Sequence, residues 1–104
     1  MFDLHAKKRA NEVGISNLES VFNYVIYNGY HASNCPDNDI KEYILRKSTK
    51  KGKNFKVKVY DDIVFIYYKS NKEMITCYRL PNHLCGRLNY SDSELKKHRL
   101  ERNV

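Results

Sequence analysis

The stretch KVKVYDDIVFIYYKSNKEMITCYRLP, residues 56–81, is the longest strongly patterned run of the chain and predicts three consecutive antiparallel strands. Phe55, Val57 and Val59 alternate with lysines and a tyrosine, which is the period-two pattern of a strand with one buried face. Residues 63–68 are apolar or aromatic at every position. We therefore expect them to form the central strand, paired on both edges and covered on at least one face.

Turn residues and a proline set the limits of the other two strands. Asp61 and Asp62 predict a tight turn after the first strand, and residues 69–72 predict the next turn. The third strand, residues 74–80, ends before Pro81, because proline cannot continue a hydrogen-bonded ladder. Its alternation places Met74, Thr76, Tyr78 and Leu80 on one face and Ile75, Cys77 and Arg79 on the other.

Two helices are predicted before the strands. In residues 3–12, Ala6 and Ala10 have helical spacing and Gly14 is placed to end the helix. Ser16 and Glu19 have the spacing of a capping box, which predicts the start of a second helix. The apolar residues of this second helix recur every three or four positions, at Leu18, Val21, Phe22, Val25 and Ile26.

The segment between these helices and the strands is less clearly patterned. Residues 30–38 are predicted to be a loop. Residues 37–46 fit a helix with Asp37 as N-cap, although residues 42–46 also fit a first strand; we favour the helix. Residues 47–54 are interpreted as a mobile basic loop that turns at Gly52.

These elements predict an α+β fold in one domain spanning residues 1–104. Two N-terminal helices should pack on one face of a small antiparallel sheet, a three-stranded meander with room for a fourth strand, with a core at about residues 3–81. A second capping box at Ser91 predicts a basic C-terminal helix up to about Arg102, with too few apolar residues for deep core contact, so residues 90–104 are expected to be peripheral.

Composition favours a cytoplasmic protein. Hydrophobic residues make up 41% of the 104 residues, charged residues make up 30%, and no apolar run could cross a membrane. The first residues lack the apolar core of a secretion signal. The three cysteines have no CxxC spacing, which favours free thiols over disulfides.

The net charge of +7 is concentrated in one stretch. Residues 41–58 contain eight lysines and arginines and one acid, so this stretch alone accounts for +7. It predicts a polyanion partner, with RNA or DNA first, RNA being preferred, and an acidic protein such as an antitoxin or host protein second. A solvated lysine-rich edge that prevents aggregation is the alternative. The predicted nucleic-acid contacts are Arg46, Lys47, Lys50, Lys51, Lys53, Lys56 and Lys58.

No common phosphate-loop, dinucleotide, metalloprotease or hydrolase motif occurs, and no metal or cofactor is expected. The remaining inventory of His, Arg, Lys, Thr and Tyr suits metal-free RNA cleavage by the substrate's own 2′-hydroxyl, which needs a base, a cation and an acid. His5 and Arg9, four residues apart, share a helix face and supply the base or acid and a phosphate contact. Thr76 or Tyr78 would donate to the phosphate oxygens.

A family resemblance accompanies these residues. The segment HAKKRANEVGIS, residues 5–16, resembles the H-x3-R-x4-G-I-S opening of many small ribonuclease toxins, and EMITCYRLP, residues 73–81, resembles their closing strand. The chain is therefore similar, over about residues 3–81, to the barnase–EndoU–colicin–RelE-like group, which includes BrnT-type toxins and short phage and bacterial domains. The resemblance implies a site of His5, Arg9, Thr76 and Tyr78. Val13 stands where relatives usually carry an arginine.

Two functions follow as hypotheses. The first is a metal-independent endoribonuclease of the toxin-like group that leaves a 2′,3′-cyclic phosphate. The second is a non-catalytic phage or bacterial module, a host-takeover or anti-defence inhibitor or regulator, that binds nucleic acid or an acidic protein. Val13 in place of arginine leaves room for the second.

Overall fold

A three-stranded antiparallel sheet lies between two layers of helices in a computed structural model of the chain. The structure describes Phe2, residues 4–90 and residues 94–98. Its helices are α1 (Leu4–Glu12), α2 (Leu18–Asn28), α3 (Asn38–Lys51), a 3-10 turn (Asn82–Leu84) and the short α4 (Glu94–Lys97). Its strands are β1 (Phe55–Tyr60), β2 (Ile63–Tyr68) and β3 (Met74–Arg79). The predicted α+β class, with helices preceding an antiparallel meander, is confirmed.

The meander has the predicted order, with β2 between β1 and β3. Asp61 and Asp62 form the turn that joins β1 to β2, with φ of 50° and 64°. Positive φ at both central residues is the geometry of a two-residue hairpin turn, whose twist matches that of the flanking strands. In β2, Val64 and Phe65 are fully buried, as expected for a central strand covered on both faces.

The predicted alternation of β3 is wrong at its first two residues, because Met74 packs with the cluster of Cys77 and Ile75 packs with that of Tyr78. Thr76 pairs with Ile66, but Met74 pairs with Tyr67, so the register shifts by one residue and Ile75 is the extra residue of a β-bulge. Met74 therefore belongs to the same buried cluster as Cys77 rather than to the face of Thr76. A bulge reverses the side-chain alternation on one side of it, because the pattern repeats every two residues.

Helices α1 and α2 pack on one face of the sheet. Ala6 and Ala10 are buried, and their small side chains let α1 lie close to β3. The capping residue of α2 is Asn17 rather than the predicted Ser16: the Asn17 side chain accepts a hydrogen bond from the Ser20 amide at 3.3 Å. The Ser16 hydroxyl donates instead to the carbonyl of His98, a partner that local sequence patterns do not reveal.

Helix α3 covers part of the opposite face and packs mainly on β1. Its predicted N-cap is confirmed, because the Asp37 carboxylate accepts from the amides of Asp39 and Ile40 at 2.9 and 3.0 Å. The favoured helix over residues 37–46 is confirmed against the alternative strand at residues 42–46, but the helix continues to Lys51, so the predicted loop from residue 47 is wrong. It ends at Gly52, whose φ of 95° is readily adopted by glycine.

The core extends beyond its predicted limit at residue 81. Leu84 and Leu88 pack with α3, and Leu95 of α4 is fully buried with α1 and α2, although deep contact was not expected there. The rest of the predicted C-terminal helix, including its capping box at Ser91, lies outside the described residues. Among the described helices, none combines the length and the apolar character that a bilayer span requires.

Candidate nucleic-acid interface

A groove between the C-terminal half of α3 and strand β3 brings together lysine side chains and hydroxyl groups. It has a volume of about 220 Å³, and its lining consists of Lys47, Lys50, Lys51, Ile66, Thr76 and Tyr78. No carboxylate lies in this lining. Within the described residues, none of the three lysines forms an ion pair. The groove is therefore positively charged and contains neutral hydrogen-bond donors.

Lys47 is held above two tyrosine rings. Its Nζ lies 5.4 Å from the ring centroid of Tyr43 and 5.7 Å from that of Tyr78. An ammonium at these distances is attracted to the negative face of each ring. The side chain is half-buried, so the position of its charge is better defined than that of a fully exposed lysine.

Tyr78 is a neutral donor at the base of the groove. Burial, and then the hydrogen bond with Tyr43, raise the pKa of the Tyr78 hydroxyl, so it remains protonated at neutral pH. The hydroxyls of Tyr43 and Tyr78 form a hydrogen bond at 3.5 Å. Tyr78 therefore adds a neutral polar hydroxyl to the lining of the groove.

Helical spacing explains why the three lysines share one wall. Lys50 and Lys51 lie three and four residues after Lys47, so both are its neighbours on the surface of α3. Lys50 and Lys51 are also in the last turn, where the negative end of the helix dipole favours cations. Residues 47–51 of the predicted basic loop are thus helical, and only residues 52–54 form a turn.

The other predicted nucleic-acid residues lie around this groove rather than in it. Arg46 is exposed on α3, and Lys53 is exposed in the turn between α3 and β1. Lys56 and Lys58 alternate along β1 with Val57 and Val59, whose side chains pack under α3. Lys56 and Lys58 are therefore outside the groove, and both line a separate pocket with Ile44 and Ser48 of α3.

Lys58 has a structural partner. Its ammonium donates a hydrogen bond to the carbonyl of Ile26 in the last turn of α2. Desolvation, followed by the nearby charges of Lys56 and Lys72, lowers the pKa of Lys58. This lysine satisfies a carbonyl group at the end of α2. A count of charges along the sequence could not distinguish this structural role from a contact with a ligand.

A second pocket on the other side of α3 contains His31, which sequence reasoning had placed only in a loop. The pocket has a volume of about 450 Å³ and is lined in part by His31, Ser33, Ser48 and Lys56. Desolvation, then the charges of Lys58 and Lys56, lower the pKa of His31. The loop prediction could not reveal where His31 lies. Its position depends on the β-bridge between Tyr30, which precedes it in the chain, and Val59 of β1.

The four predicted catalytic residues do not form one site. His5 and Arg9 are exposed on α1, and Arg9 pairs with Glu12 at 3.1 Å. Helix α1 packs through Ala6 and Ala10 on the sheet face that carries Met74 and Cys77. Thr76 and Tyr78 are on the α3 face, paired with Ile66 and Val64. The expectation that both pairs face each other is wrong, because the sheet separates them.

Another cavity lies away from the basic groove. It measures about 870 Å³ and is formed by α1, α2 and the turn before β3. Its lining mixes apolar side chains such as Phe22 with Lys7, Glu19 and Lys72. Opposite charges and a broad apolar floor give this cavity no particular preference for a polyanion.

Comparison of the chain with protein-family models, with curated proteins and with solved structures gave no match. The resemblance to ribonuclease toxins therefore stays a prediction, and the site must be judged on its own geometry. Val13, at the position where those toxins usually carry arginine, is half-buried against the core between α1 and α2. Among the described residues, no group of three potential metal ligands occurs.

Proposed function

We propose that this protein binds nucleic acid through the groove between α3 and β3. The observation that carries the proposal is the lining of that groove: three lysines and two hydroxyl groups with no carboxylate. Phosphate oxygens need cations and hydrogen-bond donors, and both are present on a rigid wall. RNA is the preferred partner, in the cytoplasm, where three free thiols are compatible with the reducing environment.

The charge distribution supports a polymer rather than a single small anion. The stretch of residues 41–58 carries the whole net charge of the protein, and it extends from the groove over the turn after α3 to β1. A nucleic acid presents phosphates at regular intervals and can contact several of these cations at once. Such a surface also accelerates association with a polyanion at low salt.

The groove is better suited to binding than to cleavage. Cleavage by the 2′-hydroxyl requires a group that accepts a proton at neutral pH beside the phosphate. The groove lining contains lysines, a threonine, an isoleucine and a protonated tyrosine, and it supplies no such base. Its geometry therefore supports the non-catalytic binding module over the endoribonuclease.

The test compares two matched pairs of lysines. Lys50→Gln/Lys51→Gln removes two exposed charges at the groove, and Lys7→Gln/Lys8→Gln removes two exposed charges on α1. Affinity for a mixed RNA pool is measured at several salt concentrations. We expect the groove pair to weaken binding and to reduce the slope of log K against log salt by ~0.7 per lost contact with a single strand. The α1 pair should leave the slope unchanged.

Two outcomes would overturn the proposal. Absence of binding to RNA and to DNA at low salt would favour an acidic protein as the partner of the basic surface. An equal loss in both lysine pairs would show that net charge, rather than the groove, determines binding.

A further inference from the structure

We propose that the nucleic acid is single-stranded and that one of its bases stacks on the aromatic pair formed by Phe55 and Tyr68. This inference rests on the proposed function, and it specifies which form of nucleic acid the groove takes. Phosphate contacts alone do not distinguish a single strand from a duplex, whereas an exposed aromatic surface beside them does.

The aromatic pair lies at the end of the sheet where β1 begins and β2 ends, after the C-terminus of α3 in the chain. Phe55 and Tyr68 are cross-strand partners in β1 and β2, with ring centroids 4.9 Å apart and an angle of 34° between the rings. The Tyr68 amide donates to Glu73, away from β1, so the two residues form a non-hydrogen-bonded pair, in which side chains approach closely. Phe55 is half-buried and supports Tyr68, which is 39% exposed.

The pair is continuous with the lysine groove. Ile66 lines the groove, and Tyr68 lies two residues further along β2 on the same face, about 7 Å away. Helix α3 ends at Lys51, and the Phe55 amide donates to the carbonyl of Gly52 directly after it. The lysine wall therefore ends beside the aromatic pair, and a strand with phosphates on Lys50 and Lys51 would carry a base towards Tyr68.

A duplex cannot use this surface in the same way. In double-stranded nucleic acid the base faces are covered by their neighbours, so a duplex offers the groove only its backbone. A single strand offers both phosphates and uncovered base faces. An exposed ring beside cations that lack acidic partners therefore favours the binding of a single strand over that of a duplex.

An aromatic cross-strand pair also stabilises a hairpin without binding anything. That role predicts a change in thermal stability when Tyr68 is replaced, with no change in the relative affinity for single strands and duplexes. The two roles therefore differ in a binding measurement.

The test uses four ligands of one length: a single-stranded RNA, the DNA strand of the same sequence, its duplex, and an abasic deoxyribose-phosphate strand. We expect tighter binding of the RNA or DNA single strand than of the duplex and the abasic strand. Tyr68→Ala should weaken single-strand binding roughly 5- to 150-fold, the range found for loss of stacking with one base. Abasic binding and the salt slope should remain unchanged, and Tyr68→Phe should bind like the parent protein.

Tyr27→Ala is the matched control. Tyr27 is 78% exposed on α2, which packs on the opposite face of the sheet, so its removal should leave the affinity for every ligand unchanged. If Tyr68→Ala does not fold, Tyr68→Leu retains an apolar side chain without an aromatic face, and it should lose the single-strand preference.

Equal affinity for single strand, duplex and abasic strand, unaffected at Tyr68, would overturn the stacking proposal and leave the groove as a phosphate-binding surface. Failure of all four ligands to bind at low salt would instead overturn the proposed function itself.

Discussion

Individual side chains in this protein acquire properties from their neighbours that their residue types do not predict. Tyr78 is an ordinary strand residue by propensity, yet burial and the hydrogen bond with Tyr43 raise the pKa of its hydroxyl, which lines the groove. Lys58 appears in the sequence as one more charge of a basic stretch, yet its ammonium is bound to a carbonyl of α2. Environment determines which members of a basic or tyrosine-rich surface are available for a ligand.

Cys85 and Cys77 are expected to react at very different rates. Burial raises the pKa of the Cys77 thiol to about 12, and this residue is fully buried, whereas Cys85 is only half-buried. The thiolate is the reactive form, so a soluble disulfide reagent at pH 8 should modify Cys85 first and Cys77 only when the structure opens. Cys85→Ser should remove the fast phase; a fast phase that remains and maps to Cys77 would contradict the packing of α1 on β3.

At the scale of elements, helix ends depend on single backbone contacts. Helix α2 ends at Gly29, whose amide donates to the carbonyl of Val25 at 2.7 Å. Its φ is −70°, so the requirement for glycine here is one of space rather than of backbone conformation. A Cβ atom at this position would lie 2.7 Å from the Val25 oxygen and 3.2 Å from the Cβ of Lys58.

Gly29→Ala is therefore expected to lower the free energy of unfolding by about 1–3 kcal/mol, because the backbone would have to shift to admit the methyl group. Chemical denaturation measures the effect. Asn23→Ala, on the exposed side of the same helix, is the control and should be neutral or slightly stabilising, since alanine has the higher helix propensity. Equal stability of the two variants would contradict the close approach of α2 and β1.

Local sequence patterns were sufficient to predict β1, β2 and the start of α3. Alternation identified β1 and β2, and the short side chain of Asp37 identified the start of α3, because both depend on neighbours in the sequence. The β3 bulge at Ile75 depends on the pairing of Thr76 with Ile66, which lies 10 residues earlier in the chain. The hydroxyl of Ser16, the predicted cap, is bound to the carbonyl of His98, 82 residues away. Such long-range pairings have no signature in local sequence.

At the scale of the whole molecule, the sheet separates two surfaces. The lysine groove and the Phe55–Tyr68 pair are on the α3 face, and His5 and Arg9 belong to the helix layer on the other face. The sequence could identify which residues carry suitable chemistry. It could not show which side of the sheet each helix covers, since an apolar stripe fits either face.

This separation predicts that His5→Ala and Arg9→Ala leave nucleic-acid affinity unchanged, since both residues are remote from the groove. The same variants test the ribonuclease hypothesis when the protein is incubated with RNA in EDTA and the RNA ends are analysed. Cleavage that leaves a 2′,3′-cyclic phosphate and is lost in His5→Ala would contradict the binding-only proposal and restore a catalytic role for α1.

The packing of α1 on β3 has a consequence for synthesis on the ribosome. Helix α1 emerges before the sheet, and its partner strand, which begins at Met74, follows the other two described strands. Because translation adds about 5–20 residues per second, α1 waits several seconds for that strand. During this interval, Ala6 and Ala10 have no sheet to cover, so a nascent chain stalled before residue 74 should be more sensitive to proteases at its N-terminus than the finished protein.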